Sequence, residues 1–207
     1  MLMAHRGLDW HYHMPWDFFG KAWDEAKPEV AFGELPVLVI DGTYMLWESA
    51  AILRYLADGT PLVPSDARTR ARADAILDST KRFVMPVDAT VNIRQGNRFE
   101  EEKAEALKKM PEMLAPFLRE LEQSGGPFFL GASPAICDFA FFHHLDMMLL
   151  LDTTLCDQHS NLRHFHGAMM ALPGVYGYLS SRLPLTGMGT DPHIKINGVL
   201  TPTMAGR

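Results

Sequence analysis

The spacing of apolar residues changes period along this chain, and the changes predict its elements. Val37, Leu38, Val39 and Ile40 form a short, mostly β-branched run; Asp41-Gly42 interrupts it, and Tyr44, Leu46 and Trp47 resume. Two such runs around a glycine predict a hairpin, because glycine supplies the positive φ that a tight turn needs. From Glu48-Ser49 onward the period lengthens, and Ile52, Leu53 and Leu56 fall on one face of a helix. Upstream, residues 1–7 read as the last turns of a helix closed by Gly7, and residues 8–13 alternate, which predicts a further strand. Leu35-Pro36 enters the hairpin, and a proline there suits an edge or a cis bond better than a central ladder position.

Gly59, Pro61 and Pro64 then break the pattern, which divides the chain into a first unit at 1–62 and a second at 65–207. Ser65-Asp66 caps a helix carrying Ile76, Thr80, Phe83 or Val84, Val87 and Val91, bent at Pro86. Arg68, Arg70, Arg72, Lys81 and Arg82 make this helix basic, and a solvated face is the default reading of such a run, with subunit contact second. A helix over 100–122 buries Leu107, Met110, Leu114, Phe117 and Leu121. The longest apolar run, residues 139–151, contains His143, His144 and Asp146 and is too short to span a bilayer, so it reads as a buried helix. Short helices follow over 161–171 and 175–182, and the tail from Leu183 shows no periodicity.

Composition narrows the function classes. With 207 residues, 47% hydrophobic and 21% charged, the chain has the profile of a soluble globular protein. A formal charge of -6 gives no support for binding nucleic acid or an anionic membrane, both of which need a basic surface. Cys137 and Cys156 are too few for a disulfide framework or a zinc site, which points to a reducing cytoplasm, and Cys137 lies in an apolar run as a core residue. His143 and His144 are adjacent and His164 and His166 two apart, so neither pair shares a helical face and no metal is expected. Residues 1–7 do not have the apolar core of a signal peptide.

Phe32-Gly33-Glu34-Leu35-Pro36-Val37-Leu38, followed by Trp47-Glu48-Ser49-Ala50-Ala51-Ile52-Leu53-Arg54-Tyr55-Leu56, resembles the glutathione-binding half of the glutathione transferase superfamily. Trp23 and Lys27 fall where sigma-type members, the prostaglandin D synthase and S-crystallin relatives, place a tryptophan and a lysine, whereas Glu48-Ser49 resembles the delta, theta and zeta types. The resemblance implies a thioredoxin-like α/β domain followed by an all-helical bundle, commonly as a homodimer. It also implies a glutathione site made by Trp23, Lys27, Leu35, Pro36, Glu48 and Ser49.

The chemistry suits those residues. A cis Pro36 would turn the Leu35 main chain toward the cysteinyl unit, so that backbone reads backbone. Ser49, opening a helix, would meet the γ-glutamyl carboxylate with its hydroxyl and the positive end of the helix dipole. Glu48 would accept from the α-ammonium, and Lys27 would face the glycine carboxylate with Trp23 beside it. In the second unit Ser133-Pro134-Ala135-Ile136-Cys137-Asp138 partly matches the family's helix-capping signature, with Ala135 where a hydroxyl normally stands, so Asp138 is a structural cap.

The family's opening strand and most of its first helix have no counterpart here, so the expectation is a thioredoxin-like domain lacking its first strand, that is, an N-terminally truncated chain. The family's thiol-activating tyrosine, serine or cysteine lies in that missing segment, and the catalytic residue is unknown. A free thiol has a pKa of about 8.5, and lowering it by roughly two units takes about 2.7 kcal/mol. Tyr12 and His5 are near in sequence, with nothing to bring either to the thiol. In some related dimers an acidic residue about eight positions after the counterpart of Asp74 reaches the partner's glutathione; Arg82 stands there instead. The expected function is conjugation of the glutathione thiolate to small apolar electrophiles, as in detoxification, with Phe83, Val84 and Val87 lining the electrophile site. The alternative is a non-catalytic glutathione-binding or structural protein of the S-crystallin sort.

Overall fold

Two kinds of residue decide the architecture: a short hairpin with turn chemistry at its bend, and a set of helices whose large apolar side chains converge on one core. The computed structural model describes residues 1–84 and 99–181 and three short strands beyond them. The first half contains α1 (Leu2–His5), α2 (Pro15–Phe19), α3 (Trp23–Ala26), 3-10 turns at Lys27–Glu29 and Ala31–Gly33, β1 (Leu38–Ile40), β2 (Tyr44–Leu46) and α4 (Ser49–Ala57). β1 and β2 pair antiparallel, Leu38 opposite Leu46 and Ile40 opposite Tyr44. Asp41 and Gly42 turn the chain between them at φ 50° and 72°, as the sequence requires.

The strand expected over 8–13 does not form. Alternation makes a strand only where another strand supplies the ladder, and among the described residues β1 and β2 pair only with each other. The segment is held by rings instead: Trp10 packs on Tyr178 with centroids 6.3 Å apart, and His13 on Phe18 at 6.2 Å.

The second half begins at α5 (Ala67–Val84), where Asp66 accepts the backbone N–H and hydroxyl of Thr69, each at 2.8 Å, which is the predicted cap. α6 (Phe99–Ser124), α7 (Ile136–Leu149), α8 (Leu155–Gln158), α9 (Ser160–Met170) and α10 (Val175–Ser181) follow. α7 is buried almost all round, as its continuous apolar run predicts. Its Phe141 stacks on Phe117 of α6 at 4.8 Å and meets Phe129 and Phe165 edge-on at 5.1 and 5.4 Å. Such ring pairs add about 0.5–1.5 kcal/mol each beyond the area they bury.

Asp138, fully buried near the start of α7, accepts the N–H of Ala135 at 2.7 Å and of Phe129 at 2.9 Å. One carboxylate thus closes the helix start and pins the preceding loop. Because Ala135 has no side-chain acceptor, only half of a capping box is made. In that loop Gly126 lies so close to Gly131 that a Cβ would stand 2.3 Å from the Gly131 carbonyl oxygen.

The break at residues 62–65 does not divide the core. Leu2, Leu56, Ala57 and Leu62 join the helical cluster, and the Ile136 N–H donates to the Leu62 carbonyl at 3.1 Å. Gly174, at φ 75°, seats α1 against the start of α10; a Cβ there would be 2.3 Å from the Ala4 carbonyl oxygen.

The tail differs from the irregular segment expected of it. β3 (Leu185–Thr186), β4 (His193–Ile196) and β5 (Val199–Pro202) form an antiparallel meander in the order β3-β4-β5. The register sets Ile196 opposite Val199, leaving Asn197-Gly198 between the strands. Asn-Gly between two runs is a hairpin signal in sequence, and it outweighs the absence of a longer period. Pro86, Val87 and Val91 lie outside the described residues, as do the side chains of Phe83 and Val84, and with them the expected electrophile lining.

Candidate functional site

The hairpin register builds the site. Because Leu38 faces Leu46, the residues just before β1 and just after β2 leave the hairpin at the same end. Leu35-Pro36 and Glu48-Ser49 are therefore neighbours although twelve or more positions separate them in sequence. The Leu35–Pro36 bond is cis. Leu35 is 48% exposed, and its main chain makes no hydrogen bond to another described residue. An unpaired, accessible main-chain edge is what an extended peptide ligand needs.

On the other side of the same end, α4 starts at Ser49 without a side-chain cap, and its first intrahelical bond runs from the Ile52 N–H to the Glu48 carbonyl at 2.9 Å. The N–H groups of Ser49, Ala50 and Ala51 therefore have no intrahelical acceptor and carry the positive end of the helix dipole. Ser49 and Glu48 are both exposed. Glu48 sits at φ 66°, ψ 115°, a conformation that costs a non-glycine residue about 1–3 kcal/mol. Strain of this kind persists where the surroundings over-determine a residue, and it collects at binding sites.

Lys27 is exposed and forms no ion pair among the described residues; its aliphatic stem lies over Gly33, two residues before Leu35. The cation is thereby held near the hairpin end and left available. Trp23, on the preceding turn of α3, is half-buried; its carbonyl accepts the Lys27 N–H, and its side chain makes no hydrogen bond or ring contact with another described residue. Asp138 lies apart from these residues, in the helical core.

Two groups at this end were not picked out by sequence reasoning. Lys81 of α5 belongs to the basic run read as a solvated face, yet its Nζ stands 3.4 Å from Glu48 Oε2. Charge sequence alone carried no sign of that pairing. Trp47, read as a strand residue and as the first residue of the family-like motif, has its indole N–H buried without a hydrogen-bond partner among the described residues, next to Glu48 in the chain. A buried donor left open is uncommon, and an aromatic donor directly before the Glu-Ser pair was the available signal.

Neither Tyr12 nor His5 brings a thiol-activating group to the site among the described residues. Tyr12 is 71% exposed and its hydroxyl donates to the Met14 sulfur at 3.5 Å. Local desolvation, and then Tyr178, push its phenol above the ordinary value, the wrong direction for easy ionisation. His5 is engaged elsewhere, with Nδ1 3.1 Å from the Pro173 carbonyl and its ring 5.2 Å from Phe139. Cys137 is buried, and burial pushes its thiol well above the usual range, so it is no nucleophile.

A groove of about 680 Å³ lies between α5 and α6. Arg72, Ile76, Arg82, Met113, Phe117 and Glu120 are among its lining residues. It contains none of Trp23, Lys27, Leu35, Pro36, Glu48 and Ser49.

Comparison with known proteins bears on the family and the fold. Residues 9–58 match the family described as glutathione S-transferase, N-terminal domain, and residues 88–182 match glutathione S-transferase, C-terminal domain. The class-mu 26 kDa isozyme 1 of glutathione S-transferase from Fasciola hepatica is 31% identical over 184 residues, covering 81% of this chain and 76% of that protein. Hematopoietic prostaglandin D synthase from Gallus gallus is 28% identical over 186 residues, 87% of each chain. A glutathione S-transferase structure from Ascaris lumbricoides superposes with a TM-score of 0.74 at 24% identity, over 88% of this chain and 89% of that one, and shows the shared fold. The similarity thus extends to mu-class relatives as well as to a prostaglandin D synthase. With a family model matched in each half of the chain and a relative 31% identical over most of its length, the chain belongs to the glutathione S-transferase superfamily.

Proposed function

We propose that this chain binds glutathione at the open end of the β1–β2 hairpin and acts as a glutathione transferase on small apolar electrophiles. The observation that carries the binding is the pairing of two features at one hairpin end: the unbonded Leu35 main chain and the uncapped start of α4 at Ser49. The cysteinyl backbone lies along Leu35 and the γ-glutamyl carboxylate takes the N–H groups and hydroxyl of Ser49. Glu48 accepts from the α-ammonium, Lys27 meets the glycine carboxylate, and Trp23 packs beside it. No metal takes part in this reading, and a cytoplasmic role in detoxification goes with it.

Membership of the family supports the transfer step, in which the thiolate attacks an electrophilic carbon and a leaving group departs. A specific observation supports a second reading, that the chain binds glutathione without catalysis: Tyr12 and His5, the donors nearest in sequence, are both engaged elsewhere. A homodimer belongs to the first reading. Phe32, 78% exposed at φ 65°, and the groove between α5 and α6 are surfaces that a second copy would cover.

Retention on immobilised glutathione tests the site. Ser49→Ala should fold normally and bind about tenfold more weakly, the effect of losing one charge-assisted hydrogen bond. Unchanged retention in the folded variant removes Ser49 from the site. Conjugation of a generic aryl halide then separates the two readings: turnover supports the transferase, and binding without turnover supports the binding protein.

A further inference from the structure

The pairing of Lys81 with Glu48 changes what the γ-glutamyl end of this site selects, an inference that rests on the glutathione reading above. Glu48 is the only carboxylate assigned there to the ligand's α-ammonium, and in this structure it already has a cation, Lys81 Nζ, 3.4 Å away. Lys81 comes from α5, 33 positions along the chain, and Glu48 is held on a strained backbone that fixes where its carboxylate starts. Both side chains are substantially exposed, so the pair is screened by water and loosely held. A weak pair can exchange partners when a ligand arrives.

We propose that Lys81 is a specificity-determining residue that turns the γ-glutamyl subsite from a zwitterion reader into a carboxylate reader. Two cations compete around Glu48 once the α-ammonium enters, and their mutual repulsion cancels part of what Glu48 offers that ammonium. Lys81 at the same time adds a positive charge beside the Ser49 helix start, where the α-carboxylate binds. The ligand class that fits is a cysteinyl peptide whose head carries a carboxylate but no free amine, such as a des-amino or N-acylated γ-glutamyl thiol, alongside glutathione itself. Selectivity is a difference between two affinities, and a cation in this place lowers the reward for the amine.

The test is calorimetric titration of the full chain with glutathione and with glutaryl-cysteinyl-glycine, which is glutathione without its amine. The unsubstituted protein should bind the two within about threefold of each other, since the ammonium gains little. Lys81→Gln should make the des-amino thiol fall about tenfold behind glutathione, because its carboxylate loses a cation while the freed Glu48 favours the amine. Lys81→Arg should restore the near-equal ratio, and thermal unfolding confirms that each variant is folded. If glutathione binds but the des-amino thiol trails it by more than about tenfold in the unsubstituted protein, or if Lys81→Gln leaves the ratio unmoved, Lys81 is a solvated surface residue and the inference fails alone. If the unsubstituted protein binds neither thiol, the glutathione reading fails and this inference falls with it.

Discussion

The helical core and the hairpin end use opposite physics. Around α7, Phe129, Phe141, Phe142 and Phe165 have essentially no exposed surface, and the carboxylate of Asp138 has both its oxygens bonded to backbone. At the hairpin end Leu35, Glu48 and Ser49 are exposed, the Leu35 main chain is unbonded and Glu48 is strained. The Asp138 carboxylate and these rings are fully engaged within the protein, so they stabilise the fold. The hairpin end holds unspent hydrogen-bonding groups on a frame that the core keeps in place, through Leu56, Ala57 and Leu62 in the shared core. Substitutions should therefore separate the two: those in the core change stability and leave affinity per folded molecule intact, while those at the hairpin end do the reverse.

The largest effect is expected at Phe141. Phe141→Ala should cost about 3–5 kcal/mol in urea unfolding, from the lost transfer energy and the cavity among three other rings; a cost under about 1 kcal/mol would mean that the core is not organised around α7. Next comes Asp138→Ala, which strands the N–H groups of Ala135 and Phe129 in the interior. Each orphaned donor costs about 1–3 kcal/mol. Asp138→Asn, keeping one acceptor oxygen, should cost less, and glutathione retention by the remaining folded protein should not change in either variant.

The dependence of stability on pH sharpens the same contrast. Burial, partly offset by the two backbone bonds, raises Asp138 to about 7, and burial together with the neighbouring His143 lowers His144 to about 4. The contribution of Asp138 is complete below its unfolded pKa of about 3.9 and is lost as pH rises through about 7. That of His144 is complete above its unfolded pKa of about 6.5 and is lost as pH falls through about 4. Between these limits the two slopes oppose each other. His144→Asn should remove one of them, so that denaturant midpoints rise as pH falls from about 7 to about 5 more steeply than in the unsubstituted protein. An unchanged slope would assign the compensation to other groups.

The smallest effect on stability is expected at Lys27. Lys27→Ala should shift unfolding by no more than about 0.5 kcal/mol, since the side chain is exposed and unpaired among the described residues. Glutathione affinity should nonetheless fall, and its dependence on salt should weaken, as expected of a surface cation facing a ligand carboxylate. A loss of stability with unchanged affinity would place Lys27 with the core and erase the distinction.

Much of the fold was legible in the sequence because it depends on neighbours. Gly42 at the hairpin bend, Asp66 at the start of α5 and the unbroken apolar stretch of α7 each act through backbone conformation or spacing within a few residues. Residues 8–13 form no strand for the converse reason: their alternation suits one, but a ladder needs a partner that the pattern itself does not contain. The tail has no sustained period, so its strands depend on a signal as short as Asn197-Gly198, which lies between the paired Ile196 and Val199.

By itself, then, the chain of residues determined where helices start, where the hairpin bends and which side chains are apolar enough to be buried. Those outcomes follow from torsional preference and from water's exclusion of hydrocarbon, both readable over short stretches. Only the tertiary structure decided which charges meet. Glu48 and Lys81 are 33 positions apart, and Arg54 of α4 reaches Asp74 and Asp78 of α5 across 20 and 24. Coulomb's law depends on distance in space, and that distance exists only once α4 and α5 have packed against the same core.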